Sequence, residues 1–364
     1  MRLNKLRELA EKKGLSCALI AGQPNLYYYL GFEGVGYLLY CDGNFSLITS
    51  VLEMNRALTV KGVDVIVVDP ANLLGNETSG GAKVVRVKTS ELVEQTAKGR
   101  PVGLDTAWAD KTLTSALEKK VQLVDLSDAV RDQRAVKDQD EIEAIKAAGR
   151  ITASALSRAL DEASPNMSEG ELAGLIDYYM KKYGAEDYAF PTIVASGVNS
   201  AFPHHVPKRD HIKPPYLLID WGAKYRGYCF DSTRTFGLTK SEEYKKYYEA
   251  VLEAQLESID RVREGVRASE LDSIARKVLS KYGLANKFHH PLGHGVGIEI
   301  HEYPTVGPTA NDELKENMII TIEPGVYHFV KFGIRIEDTV IVKKDKAEVL
   351  ETLPKEYTVI DFFS

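Results

Sequence analysis

Apolar residues in the first third of the chain recur at two different spacings. Leu3, Leu6 and Leu9 repeat at the spacing of a helix. Short apolar runs bounded by turn residues then predict strands at 17–22, 37–43, 45–50, 63–70, 101–105 and 121–127. Between the second and third runs, Asp42 and Gly43 predict a tight hairpin turn. Alternating helices and strands of this kind indicate an α/β domain, and no Gly-rich phosphate loop follows any of the strands.

A longer helical pattern begins near residue 130. Residues 131–163 are charged and polar, with one apolar stripe made by Ile142, Ile145, Ala148, Ile151 and Ala155. The rest of the chain differs from the first third in its pattern and its motifs. We therefore predict an N-terminal α/β domain over residues 1–129 and a second domain over residues 130–364.

The second domain contains a weak internal repeat. Residues 168–184 and 268–283 each carry Glu-Leu followed, ten residues later, by Tyr-Gly. Paired histidines follow each segment, at 204–205 and 289–290, and two spaced carboxylates come after each pair. Duplication of a helix-and-sheet unit would place the two carboxylate sets opposite each other, although short helical matches also arise by chance.

Charge and cysteine content restrict the function classes. The chain of 364 residues has 46 basic and 52 acidic residues, a net charge of -6, and no basic run that would indicate nucleic-acid binding. No window is apolar enough for a membrane span, and the charged N-terminus lacks the apolar core of a signal peptide. Three cysteines, Cys17, Cys41 and Cys229, predict no disulfide framework and a reducing, cytoplasmic location.

The first carboxylate pair lies on two strands that a turn connects. Asp220 ends the apolar run 216–220, and Asp231 lies in the run 228–236 that follows Gly222. A hairpin would bring the two acids side by side, where like charges are destabilising unless a cation lies between them. The alternative is two solvated acids at the edges of a turn.

The second pair lies in strongly apolar surroundings. Glu323 ends the run 318–323, and Glu337 lies within the predicted strand 334–342, two residues after Arg335. A glutamate among isoleucines and valines is poorly explained as a surface residue, and buried carboxylates need a partner or a metal. Glu337 is therefore the most informative single acid.

Residues 289–304 contain four of the eight histidines, between glycines that exclude a helix. One histidine from this segment, together with two Asp and two Glu, gives a ligand set that is rich in oxygen. That composition fits a pair of divalent ions better than a structural zinc site, and four carboxylates balance their charge. The remaining histidines could then donate hydrogen bonds or carry protons.

Five ordered motifs resemble those of the Xaa-Pro peptidases, prolidase and aminopeptidase P, in the pita-bread metallopeptidase family. They are "SGVNSAFPHH", "LLIDWGAKYRGYCFDSTRTF", "HPLGHGVGIEIHEYP", "ITIEPGVY" and "GIRIEDTV". The resemblance implies an α/β N-terminal domain, similar to that of creatinase, and an α+β pita-bread catalytic domain with a pseudo-twofold internal repeat. It also implies hydrolysis of the peptide bond before proline in Xaa-Pro dipeptides or short Xaa-Pro peptides, by a homodimer.

The resemblance further implies the ligands of two divalent ions, expected to be Mn, Co, Fe or Zn. Asp231 and Glu337 would bridge both ions, His294 and Glu323 would bind one, and Asp220 would bind the other. Four more residues match family positions around the substrate. His204, His290 and His301 would surround it and stabilise the intermediate, Arg335 would brace the site, and Glu323 would also handle the proton.

One position departs from the family pattern. Many archaeal prolidases carry an arginine shortly after the "HE" pair, where it could hold the carboxylate of a dipeptide. This chain has Thr305 there, and the next basic residue is Lys315. The departure weakens the expectation of strict dipeptidase activity and favours longer Xaa-Pro substrates as well.

Three related classes fit less well. Methionine aminopeptidase shares the fold and the five ligands, but it usually lacks the N-terminal domain and the arginine before the last glutamate. Creatinase-like enzymes share the two-domain plan without using a metal site. Non-catalytic pita-bread proteins that bind peptides typically lose ligands, whereas this chain has all five.

Overall fold

A computed structural model describes residues 2–75 and 79–361. The chain separates into two compact units, Met1–Arg134 and Ala135–Ser364. Within the described residues, no helix has the length and apolar character that a membrane span requires.

The first unit is built on a mixed seven-stranded sheet with the order β5-β4-β3-β2-β1-β6-β7. Antiparallel pairing joins β1, β2 and β3, and parallel pairing joins the outer strands to them. Its strands are β1 (Cys17–Ile20), β2 (Gly36–Cys41), β3 (Asn44–Thr49), β4 (Asp64–Val68), β5 (Lys83–Val85), β6 (Val102–Leu104) and β7 (Leu123–Asp125). Its helices are α1 (Leu3–Lys12), α2 (Gln23–Leu30), α3 (Met54–Ala57), α4 (Thr89–Ala97), α5 (Lys111–Glu118) and α6 (Ser127–Ala135), which ends at the division.

Local turn chemistry places the predicted hairpin correctly. Asp42 and Gly43 have φ angles of 51° and 87°, the left-handed conformation that a two-residue hairpin turn requires at both positions. The short strand β5 was not predicted, because its three residues offer too little pattern.

The prediction that the cysteines form no disulfide was wrong. Residues 17 and 41 are directly opposite in the antiparallel pair β1–β2, and the two cysteines form a disulfide. A count of cysteines contains no information about strand register, so the sequence could not reveal this pairing.

The second unit consists of two helix pairs that cover antiparallel sheets. The helices are α7 (Gln139–Glu162), α8 (Glu169–Lys182), α9 (Glu242–Arg261) and α10 (Ala268–Lys281). The first pair packs with β9 and β10 in one apolar cluster, and the second pair packs with strands of the larger sheet in another. This duplicated arrangement has the pseudo-twofold plan that the repeat predicted, and mixed α/β content agrees with the predicted fold class.

The strands of the second unit form four small sheets, with the orders β13-β10-β9, β12-β11-β8, β15-β14-β16-β19-β20 and β17-β18. The first ten strands of the unit are β8 (Asp187–Tyr188), β9 (Ile193–Ser196), β10 (Tyr216–Trp221), β11 (Ala223–Tyr225), β12 (Tyr228–Cys229), β13 (Ser232–Gly237), β14 (Gly293–Gly295), β15 (Glu302–Val306), β16 (Ile319–Ile322) and β17 (Gly325–His328). The last three are β18 (Phe332–Arg335), β19 (Asp338–Ile341) and β20 (Glu348–Val349).

The predicted continuous strand 334–342 is divided in the structure. β18 pairs with β17, whereas β19 pairs with β16, so the chain changes sheet at Ile336 and Glu337. The backbone N–H of Glu337 donates to the carbonyl of Thr233, 3.1 Å away. Glu337 therefore lies where the two halves of the unit meet, a position that hydrophobic periodicity does not encode.

Candidate metal centre

The first two acids come together through the pairing of β10 and β13. Asp220 is opposite Thr233, and Trp221 is opposite Ser232. One further step of this register places Asp231 opposite Gly222, so the side chain of Asp231 is on the same face as that of Asp220. The two acids therefore lie side by side on paired strands, as predicted.

A glycine is required at position 222, because the backbone of Phe230 passes close to it. A Cβ atom at this position would lie 1.8 Å from the carbonyl oxygen of Phe230. We expect Gly222→Ala to destabilise the protein by about 1–3 kcal/mol, the usual range for overpacking. Gly174→Ala is the matched control: the glycine lies inside α8 with nothing within 4 Å of a new Cβ. Urea unfolding measures both, and an unchanged stability for Gly222→Ala would contradict the argument.

His294 lies in β14 with one ring nitrogen fixed and the other available. Its Nδ1 faces the carbonyl of Gly295 at 3.0 Å, and because a carbonyl only accepts, Nδ1 carries the proton. The lone pair on Nε2 then points toward Asp231 and Glu323, whose carboxylate oxygens lie 3.5 and 3.4 Å away. A histidine held in this way is prepared to bind a metal through Nε2.

The two glutamates complete the cluster. Glu323 directly follows β16, and its Oε1 accepts from Thr321 at 3.3 Å. Glu337 is 2% exposed, and its Oε2 accepts from the hydroxyl of Thr233 at 2.6 Å. Ligand atoms of Asp231, His294 and Glu337 all lie within 4.8 Å of one another.

Two carboxylate oxygens show that this cluster fits a cation. Oδ1 of Asp220 and Oδ1 of Asp231 are buried, and none of the residues that the structure describes donates a hydrogen bond to either atom. A buried carboxylate oxygen without a donor is costly unless a cation contacts it. Oxygen ligands with a single imidazole suit divalent metal ions of the first transition row.

Burial and mutual repulsion raise the pKa values of the acids. Burial raises the pKa of Asp231 well above its usual value, and the charges of Asp220 and Glu323 raise it further. The pKa of Glu337 is also raised well above its usual value, mainly by burial and next by the charge of Asp231. Burial raises the pKa of Glu323 to about 8, although the charge of Arg335 opposes the rise. Divalent cations would remove this repulsion and restore the ionised forms.

Arg335 connects the acids to a tyrosine that the sequence analysis did not identify. The buried guanidinium pairs with Asp220 and donates to the hydroxyl of Tyr327 at 2.8 Å. His290 Nδ1 faces the carbonyl of Pro291 at 2.8 Å, so its Nε2 accepts from the Tyr327 hydroxyl at 3.1 Å. The "EPGVY" motif contained this tyrosine, but only the fold shows that it joins Arg335 to His290.

The structure places a second predicted histidine, His301, beside His294. The ring of His301 lies 4.3 Å from that of His294, centroid to centroid, and the residue is exposed. Burial lowers the pKa of His301, and the charge of His204 lowers it further. His204 is therefore close enough to His301 to interact with it. His205, which sequence reasoning did not assign, binds Glu169 instead.

Comparison with known proteins gives consistent results. The profile of Metallopeptidase family M24 matches residues 143–344, and that of the Creatinase/Prolidase N-terminal domain matches residues 2–136. A Xaa-Pro dipeptidase from Pyrococcus horikoshii is 34% identical over 364 residues, covering 98% of this chain and 98% of the relative.

Two solved structures have the same fold along their full length. An X-Pro aminopeptidase from Thermotoga maritima MSB8 has a TM-score of 0.87 and 32% identity, with 98% of this chain and 99% of the other covered. A prolidase from Pyrococcus horikoshii OT3 has a TM-score of 0.84 and 34% identity, with the same coverage.

Proposed function

The chain belongs to metallopeptidase family M24, and from this premise we propose that it hydrolyses the peptide bond preceding proline in Xaa-Pro dipeptides or short Xaa-Pro peptides. The observation that carries the proposal is the group of three carboxylates, Asp231, Glu323 and Glu337, beside His294, with Asp220 held next to them by Arg335. In this proposal Asp220, Asp231, His294, Glu323 and Glu337 would hold two divalent ions.

The bound ions, Mn, Co, Fe or Zn, would polarise the substrate carbonyl and lower the pKa of water. Glu323 takes a proton from the attacking water and delivers it to the leaving proline nitrogen. His204 and His301 have exposed rings and donate to the oxyanion that forms on the carbonyl. Burial lowers the pKa of His290 to about 3, so this ring is neutral and orients the Tyr327 hydroxyl.

Arg335 keeps this arrangement rigid. Its guanidinium contacts Asp220, Tyr327 and the hydroxyl of Thr233, the last at 3.1 Å. These contacts fix Asp220, a proposed ligand, relative to Tyr327 and Thr233.

Thr305 supports activity on peptides longer than two residues. It is exposed and opposite His294 in the β14–β15 pair, so side chains at the two positions are on the same face. A threonine here supplies no positive charge for the carboxylate that directly follows proline in a dipeptide. The proposal also includes the homodimer expected from the resemblance and the cytoplasmic location expected from the sequence composition.

The decisive assay compares Xaa-Pro dipeptides with the same sequences extended by one residue, each with defined Mn, Co, Fe or Zn. We expect both substrates to be hydrolysed before proline, with the extended peptide at least as good in kcat/KM. Thr305→Arg should shift the ratio toward the dipeptide, because it adds a cation on the ligand face.

Two controls complete this assay. Treatment with a chelator should abolish hydrolysis, and peptides with Met-Ala in place of Xaa-Pro test the methionine aminopeptidase alternative. The proposal fails if metal-loaded protein cleaves neither Xaa-Pro dipeptides nor longer Xaa-Pro peptides.

A further inference from the structure

Glu169, in the first turn of α8, is a fully buried carboxylate outside the metal centre. It accepts from the backbone N–H and the hydroxyl of Ser196, at 2.7 and 2.9 Å, and from Nε2 of His205 at 2.8 Å. The side-chain amide of Asn199 lies 3.1 Å from each of its oxygens. A carboxylate offers about four acceptor positions, and these donors occupy them.

All these donors belong to one segment, residues 196–205, which leaves β9 through a short 3-10 turn at Gly197–Ala201. Gly197 has a φ of 53°, and a Cβ atom there would lie 2.8 Å from the carbonyl oxygen of Pro214. Beyond the 3-10 turn, the backbone N–H groups of Phe202 and His205 donate to the carbonyls of Asn199 and Phe202. Glu169 adds acceptors for one backbone N–H, that of Ser196, and for three side chains of the segment.

The far side of the segment is attached to β18. The hydroxyl oxygen of Ser200 accepts from the backbone N–H of Gly333 at 2.8 Å. The carbonyl of Pro203 accepts from the Arg335 guanidinium at 3.4 Å. His204 therefore lies between two anchored neighbours, Pro203 on the side of the metal centre and His205 on the side of Glu169.

The two adjacent histidines have different surroundings. The side chain of His205 is 9% exposed and bound to Glu169, whereas His204 is exposed. Burial lowers the pKa of His290, and the charges of Arg335 and His204 lower it further, so His204 is close enough to His290 to interact with it. The bond between His205 and Glu169 fixes the chain directly beside His204 and so restricts where its ring can lie.

We propose that Glu169 is a positioning residue: by holding residues 196–205, it keeps the His204 ring in place to donate to the oxyanion. This inference rests on the proposed peptidase function. It assigns a purpose to a buried charge that contacts none of the proposed ligands.

Glu169→Gln tests the proposal with minimal change in size. The glutamine side chain has one acceptor oxygen in place of two. Its NH2 group would face N–H and O–H donors that it cannot accept from, so at least two of the hydrogen bonds to residue 169 are lost. We expect kcat for an Xaa-Pro peptide to fall about 10- to 100-fold, as for other groups that orient a metal site, with KM within about twofold and metal content unchanged. Glu171→Gln is the matched control, because Glu171 lies in the same turn but is exposed and accepts hydrogen bonds from Ser168, which is outside the 196–205 segment.

A double-mutant cycle with His204→Gln separates positioning from general destabilisation. If Glu169 acts through His204, Glu169→Gln should lower kcat by less than about twofold when residue 204 is already glutamine. An equal fold-loss in both backgrounds overturns the proposal. If Glu169→Gln fails to fold, His205→Phe, which keeps a ring but removes the donor, replaces it in the same cycle.

A measurement independent of activity distinguishes failure of this inference from failure of the proposed function. In protein with 15N-labelled histidine, the Nε2–H proton of His205 should be protected in wild type and Glu171→Gln, and should exchange rapidly in Glu169→Gln. An unchanged His205 signal in Glu169→Gln overturns the positioning role. Inactivity of metal-loaded wild type on every Xaa-Pro peptide overturns the function instead.

Discussion

Glu337→Gln is expected to abolish metal-dependent peptide hydrolysis while stabilising the metal-free protein. Glutamine can still accept from the Thr233 hydroxyl, so the local hydrogen bond survives. The charge of a proposed metal ligand is lost, however, and bound metal ions would supply several kcal/mol of transition-state stabilisation. We expect kcat/KM to fall by at least about 1,000-fold, since each 1.4 kcal/mol is worth a factor of ten.

Glu337→Gln should change stability in the opposite direction from activity, and this provides the sharper test. Removing one of several repelling buried acids should raise the unfolding temperature of the chelator-treated protein, whereas addition of Mn should stabilise the variant much less than wild type. The exposed acid Glu243 gives the matched control, Glu243→Gln, which should behave as wild type. Retention of a tenth of the activity together with full stabilisation by Mn would exclude Glu337 as a ligand.

Metal-free protein is expected to lose stability as the pH rises toward 8. Burial raises the pKa of Glu323 to about 8 from the ordinary 4.5, and the pKa values of Asp231 and Glu337 are raised as well. Between pH 4.5 and 8 the folded state therefore binds more protons than the unfolded state, so the free energy of unfolding falls with increasing pH. The loss should amount to a few kcal/mol.

Two histidines oppose this trend at lower pH. Burial lowers the pKa of His290 to about 3 and of His294 to about 4, so their contribution to stability rises with pH until about 6.5. The decline due to the acids is therefore clearest between about pH 6.5 and 8.

Urea unfolding with a chelator and with Mn, over pH 5 to 8.5, measures this effect. Metal binds the ionised carboxylates, so stabilisation by Mn should grow with pH. Glu323→Gln should flatten the metal-free decline, because the amide does not titrate. A metal-free stability that stays level or rises from pH 6.5 to 8 would contradict the electrostatic account.

Several features of the molecule are specified by short stretches of sequence. The Asp42-Gly43 turn depends on the conformational preferences of two adjacent residues, and the structure has it where predicted. The capping pair Ser168 and Glu171 begins α8 for the same kind of reason. The catalytic fold was also predictable, because five motifs in a fixed order are specific to one family.

Other features depend on contacts between distant positions. The predicted strand over 334–342 divides because β18 and β19 pair with different partners, which places Glu337 beside Thr233. The bonds from Tyr327 to Arg335 and His290 likewise require the β17–β18 hairpin to pack beside the His290 segment.

By itself, the sequence determined the local turns, the helix start at Ser168, the fold class and the set of candidate ligands. Only the tertiary structure decided that Cys17 pairs with Cys41, that Glu169 holds His205 and that Glu337 lies between two sheets. The physical reason is range: turn and capping preferences act over a few residues. Side-chain partners that lie 24 or 36 residues apart are chosen by strand register and packing.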